Sequence, residues 1–88
     1  MTVLWAPAAL QDVERIYDYI ASFNQPAAKR IASRLFEAGV DLARFSERGR
    51  PAEDGTRELT IVWPYVLVYE VLPSDVMILR IWHGAQDR

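Results

Sequence analysis

Arg57, Arg80 and His83 are the residues of this 88-residue chain best suited by type to do chemistry. Nine of its ten cations are arginine, with Lys29 the exception. A guanidinium is a planar fork that grips carboxylate or phosphate through two donors, whereas an ammonium acts as a point charge. His83 is the only histidine, and an imidazole gains or loses its charge near neutrality. Near these residues stand Tyr65, Tyr69 and Trp82, flat side chains that pack in cores or against partners. Each residue also has a plainer reading. Arg80 could pair with Glu70 or Glu58, Arg57 could cap the loop before it, and His83 could make one structural hydrogen bond. Without cysteine and with one histidine, the chain offers only scattered carboxylates to a metal, so no metal site or cofactor is expected.

The charge balance narrows the partners. Ten basic residues against twelve acidic ones leave a net charge of −2. Proteins that grip a nucleic-acid backbone draw most of their affinity from neutralising phosphates, so direct DNA binding is not expected. The Arg44, Arg48 and Arg50 cluster is interleaved with Glu47, Glu53 and Asp54 and reads as a solvated charge run. The first residues lack the basic and apolar regions of a signal peptide, and no apolar run is long enough to span a bilayer. A cytoplasmic protein without membrane contact is expected.

The elements that must position these residues follow from hydrophobic spacing. Val3-Leu4-Trp5 predicts a short strand, closed by Ala6-Pro7. Leu10, Val13, Ile16, Tyr17 and Ile20 form an apolar helical stripe, with Gln11, Asp12, Glu14, Arg15 and Asp18 on the solvated arc. Pro26 opens a second helix whose stripe runs through Ala28, Ile31, Ala32, Leu35, Ala38/Gly39, Leu42 and Phe45. The short connection predicts an antiparallel helical hairpin. Ser46–Gly55 reads as a long loop. Thr56–Val62, Tyr65–Val71 and Val76–His83 read as strands, the last two joined by a turn at Leu72-Pro73-Ser74-Asp75. The order β-α-α-β-β-β predicts a single α+β domain over residues 1–88, its helices segregated to one face of an antiparallel sheet.

Pairing Val71 with Val76 sorts the hairpin's side chains into two rows. Val66, Val68, Met77, Leu79 and Ile81 form a nearly aliphatic row, expected as the floor beneath the helices. Tyr65, Leu67, Tyr69, Ile78, Arg80 and Trp82 form the other row, expected to face outward as a binding surface.

Three segments carry a resemblance to a known family. Arg57-Glu58-Leu59, then Tyr65-Val66-Leu67-Val68-Tyr69, then the run from Ile78 to Asp87 resemble the C-terminal half of RelE/ParE toxins. The helix with Ala9, Asp12, Ile16, Tyr19 and Ile20 is similar to that family's first helix. The resemblance covers almost the whole chain. It implies a small antitoxin, of ribbon-helix-helix ParD-like or similar type, that wraps the toxin as a hetero-oligomer. It also implies one of two activities: inhibition of DNA gyrase by binding in ParE-like members, or ribosome-dependent cleavage of messenger RNA in RelE-like members.

RNA cleavage needs an activator for the 2′-hydroxyl, cations for the phosphate and an acid for the leaving oxygen. Cations common in the family's nucleases are replaced here by Val66 and Gln86, and the second strand offers Arg57 but Leu59. A reduced site of Arg57, Arg80 and His83 remains as the catalytic alternative. The resemblance therefore favours a ParE-like gyrase inhibitor that is not an enzyme. The partner-binding set expected is Arg57, Tyr65, Leu67, Tyr69, Arg80, Trp82, His83 and Gln86. An attenuated, non-toxic antitoxin binder is a third reading.

Overall fold

The computed structural model describes residues 1–84, the side chain of Ile61 excepted. A strand β1 (Thr2–Trp5) leads into helices α1 (Pro7–Ala21) and α2 (Gln25–Asp41). Four further strands follow: β2 (Arg50–Pro51), β3 (Arg57–Val62), β4 (Tyr65–Val71) and β5 (Asp75–His83). Proline sits in the first turn of both helices, where its missing N–H costs nothing. The Asn24 side chain accepts a hydrogen bond from the Ala27 N–H at 3.0 Å and caps α2. No helix among the described residues is long and apolar enough to cross a membrane.

The sheet runs β1-β5-β4-β3-β2. As expected, β4 is antiparallel to both β3 and β5, and Val71 stands opposite Val76. Two features were not expected. β1 joins the sheet at its edge, parallel to β5, so the sheet is mixed. The predicted loop contains β2, paired with β3.

The helical hairpin covers one face of the sheet. Ala9, Val13 and Ile20 of α1 and Ala28, Leu35 and Ala38 of α2 are buried against it. The α1 stripe is centred one position away from the expected one, because Asp12 is buried while Leu10 is exposed. Gly39 of α2 lets the helix sit close on the sheet, since a Cβ there would overlap the Trp5 ring.

The two rows of the β4–β5 hairpin are inverted relative to the expectation. Tyr65, Leu67, Tyr69 and Ile78 lie in the core under the helices. Val66 and Val68 are buried too, but stand outside that core cluster, on the opposite face. The cause is that Tyr65 to Tyr69 are all buried. A strand covered on both sides has no polar row to mark its solvent face. Tyr69 can occupy the core because its hydroxyl accepts from the Gly49 N–H and donates to the Ser46 carbonyl, both at 2.8 Å.

A bulge in β5 adds the second correction. Tyr69 pairs with Ile78 but Val68 pairs with Arg80, so Leu79 is an extra residue. Beyond it each side chain changes face. Ile81 and His83 join the row of Leu67 and Tyr65, while Arg80 and Trp82 join the outer row of Val68 and Val66. Arg80 thus escapes the helix-covered face through the bulge and not through the regular alternation.

Candidate functional site: a cleft between the first helix and the last strand

The pairing of β1 with β5 ends at Trp5 and Ile78. The chain then turns at Ala6, whose N–H donates to the Ile78 carbonyl at 2.9 Å, and α1 runs on where another strand would have lain. Past that point the edge of β5 faces a helix, and the Ile81 N–H has no strand to bond. Asp12, in the second turn of α1, takes it at 2.8 Å. The same carboxylate accepts from Arg80 Nε at 2.8 Å and Nη2 at 3.1 Å, a two-pronged contact. Arg15 Nη1 approaches it more loosely at 3.4 Å. Asp12 is the one charged side chain buried among the described residues, 4% exposed.

Around this junction opens a cleft of about 510 Å³, lined by Asp12, Arg15, Ile16, Tyr19, Tyr65, Arg80, Ile81, Trp82 and His83. The Arg80 side chain is half exposed, and its guanidinium lies 6.0 Å from the centre of the Trp82 ring. The Trp82 Nε1–H is buried and has no hydrogen-bond partner among the described residues. His83 meets Tyr65 edge-on, with ring centres 5.7 Å apart. Burial raises the Tyr65 hydroxyl above the usual tyrosine value, and the neighbouring Tyr19 hydroxyl raises it further. The cleft therefore joins two arginines and a histidine to aromatic walls, with one of the arginines anchored by a buried acid. Such an arrangement can recognise an acidic or polar group carried on an apolar body.

Of the residues expected at a site, the cleft brings together Tyr65, Arg80, Trp82 and His83. Arg57 lies elsewhere. It pairs across the sheet with Tyr69, four residues along β4 from the Tyr65–His83 pair, a separation of roughly 13 Å. Its Nη1 donates to the carbonyls of Glu47 at 3.2 Å and Gly49 at 2.7 Å, the loop-capping reading. Arg57, Arg80 and His83 are thus not one constellation. Leu67 and Tyr69 are sealed beneath the helices, not turned outward. Gln86 lies outside the described residues.

Arg80 makes its two-pronged contact with Asp12 of α1. Asp12 was assigned to the solvated arc, and Arg15, Ile16 and Tyr19 were not anticipated at a site. A signal was present: Ala9, Asp12, Val13, Ile16 and Ile20 also fall on one helical stripe. An acid inside such a stripe demands a buried partner. Among the described residues no group of three or more His, Cys, Asp or Glu side chains could hold a metal ion.

Comparison with known proteins bears directly on this site. The profile of the ParE toxin of type II toxin–antitoxin systems, parDE, matches residues 3–88. The chain is 46% identical over 84 residues to Toxin RelE2 of Caulobacter vibrioides, covering 96% of each sequence. It is 36% identical over 91 residues to Toxin RelE1 of the same organism, covering 99% of this chain and 97% of that one. Among solved structures it resembles a chain of the chromosomal ParDE toxin–antitoxin system from P. aeruginosa, with a TM-score of 0.83 and 28% identity over 94% of this chain and 95% of that one. It also resembles a chain of the toxin–antitoxin complex RelBE2 from Mycobacterium tuberculosis, with a TM-score of 0.73 and 25% identity over 93% and 95% of the two chains.

Proposed function

This chain belongs to the ParE toxin family of type II toxin–antitoxin systems, and we propose that it acts in the cytoplasm by binding DNA gyrase, not by cutting RNA. The observation that carries this reading is that Arg57 is engaged by loop carbonyls on the sheet face opposite Arg80, and lies four residues along the strands from His83. Cleavage by this fold would need an activator, phosphate-binding cations and a general acid within reach of one phosphodiester. Here one of the three candidates is spent on loop carbonyls, on the sheet face opposite Arg80. The net charge of −2 also opposes docking on ribosomal RNA. A half-exposed arginine in an aromatic-walled cleft suits protein recognition better, since arginine, tyrosine and tryptophan dominate the energetics of protein interfaces.

The same surface suits an antitoxin. The two similar structures come from toxin–antitoxin systems, which supports a cognate antitoxin here, of ribbon-helix-helix or similar type. Tyr19 and Phe23, about two-thirds exposed and packed edge-on at 5.5 Å, extend the cleft along α1 with apolar area that such a partner would cover.

Purified toxin should inhibit supercoiling by gyrase and leave ribosome-bound messenger RNA intact in a primer-extension assay. Clean cleavage of that message, with gyrase unaffected, would replace this reading by the ribonuclease one. Expression without antitoxin that fails to arrest growth would point to an attenuated member.

A further inference from the structure

We propose that Asp12 is a positioning residue: its buried carboxylate fastens the bulge of β5 and holds the Arg80–Trp82 pair in the outward pose through which the toxin recognises a protein partner. What that surface recognises rests on the binding reading above; how it is held rests on geometry alone.

Three features converge on this carboxylate. The first is topological. β1 stops pairing at Ile78, so the backbone beyond it must find another acceptor, and the Ile81 N–H finds Asp12. The second is the bulge. Without the extra Leu79, Arg80 would fall in the row of Ile78 and Tyr69, beneath the helices. A guanidinium there would lose its water. The bulge turns Arg80 out and leaves its Nε and Nη2 against Asp12. The third is that these bonds join residues 68 and 69 positions apart, so one side chain couples the entry of the chain to its last strand. A carboxylate bound both to the backbone of the bulge and to two prongs of a guanidinium leaves that side chain little rotational freedom. Pre-ordering of this kind strengthens binding without adding a contact. Asp12 itself, 4% exposed, stays out of a partner's reach.

The alternative is that Asp12 only welds α1 to β5. Asp12→Asn separates the two roles, because an amide oxygen can still accept from Ile81 while the charge that orients Arg80 is gone. Arg80→Lys supplies a second test that leaves Asp12 untouched, since an ammonium keeps the charge but cannot fork.

The experiment is a mutant cycle on the full chain, read in two ways. In the free protein, the Arg80 Nε–H resonance should be slow to exchange. Asp12→Asn should make it exchange rapidly while the Ile81 amide remains protected. In the gyrase supercoiling assay, Asp12→Asn and Arg80→Lys should each raise the half-inhibitory concentration about tenfold, equivalent to ~1.4 kcal/mol. Their combination should raise it no further. Losses that multiply in the double variant, or an Arg80 resonance unchanged by Asp12→Asn, would overturn the positioning role. Should Asp12→Asn fail to fold, an Arg80→Lys protein with unaltered inhibition would overturn it equally. If the unmodified toxin does not inhibit gyrase, the binding reading fails, and the Arg80 resonance still decides the positioning role.

Discussion

Arg57 and Arg80 lie two strands apart, on opposite faces of one sheet, and are held in opposite ways. Arg57 faces the helix side beside Tyr69, and both side chains close on the loop after α2. Arg57 donates to the carbonyls of Glu47 and Gly49, and Tyr69 bonds Ser46 and Gly49. A Cβ on Gly49 would lie 2.8 Å from the Tyr69 ring, so the loop presses directly on it. On the other face Arg80 is held by a buried acid from α1 and leaves about half its side chain in water. The first arrangement uses its cation to satisfy neutral backbone groups and closes a corner of the fold. The second uses a charged anchor to keep a cation presented at the rim of a cleft. A shared residue type therefore says little about role; what holds the side chain, and how much of it stays outside, says more.

Substitutions can break this contrast in order of expected size. Asp12→Ala should destabilise most, by about 3 kcal/mol in urea unfolding, because it strips the acceptor from a buried N–H and the partner from a charged group. A change below about 1 kcal/mol would mean that water replaces the carboxylate without cost. Tyr69→Phe should cost about 2 kcal/mol by leaving the Gly49 N–H and Ser46 carbonyl without their buried partner, and should not change inhibition of gyrase. Arg57→Ala should cost about 1 kcal/mol, read as faster hydrogen exchange across residues 46–49 while the cleft stays protected.

The smallest effect is a pH dependence confined to the cleft. Burial, and then Tyr19, raise the Tyr65 hydroxyl above the ordinary value of 10.0. The folded chain therefore holds that proton more tightly than the unfolded one. The resulting stabilisation is complete below the unfolded value and is lost as pH rises through the folded value. Stability should fall more steeply with pH in this alkaline range than it does in Tyr65→Phe. Parallel curves for the two proteins would count against a buried Tyr65.

Much of this frame is legible in the sequence. Pro7 and Pro26 open the helices, the bounds of β4 are readable as Tyr65–Val71, and the Pro-Ser-Asp turn sets Val71 against Val76. The orientation of the sheet is not legible, because β4 is apolar on both rows and alternation shows which residues share a face without showing which face is covered. The bulge leaves no mark either, since Leu79 suits a regular strand as well as an extra position. Arg80 is indeed turned to solvent, yet the reason is this irregularity and not the regular phase. Asp12 escapes a local reading because its partners lie 68 and 69 residues away, and α1 alone offers enough apolar residues for a stripe without it. The parallel docking of β1 is equally non-local.

The contrast between the two arginines is tested most directly by growth after induction of Arg57→Ala and Arg80→Ala at matched soluble levels, without antitoxin. The Arg57 variant should still arrest growth, while cells making the Arg80 variant should continue to divide. Continued growth with Arg57→Ala and arrest with Arg80→Ala would contradict the assignment of function to the cleft.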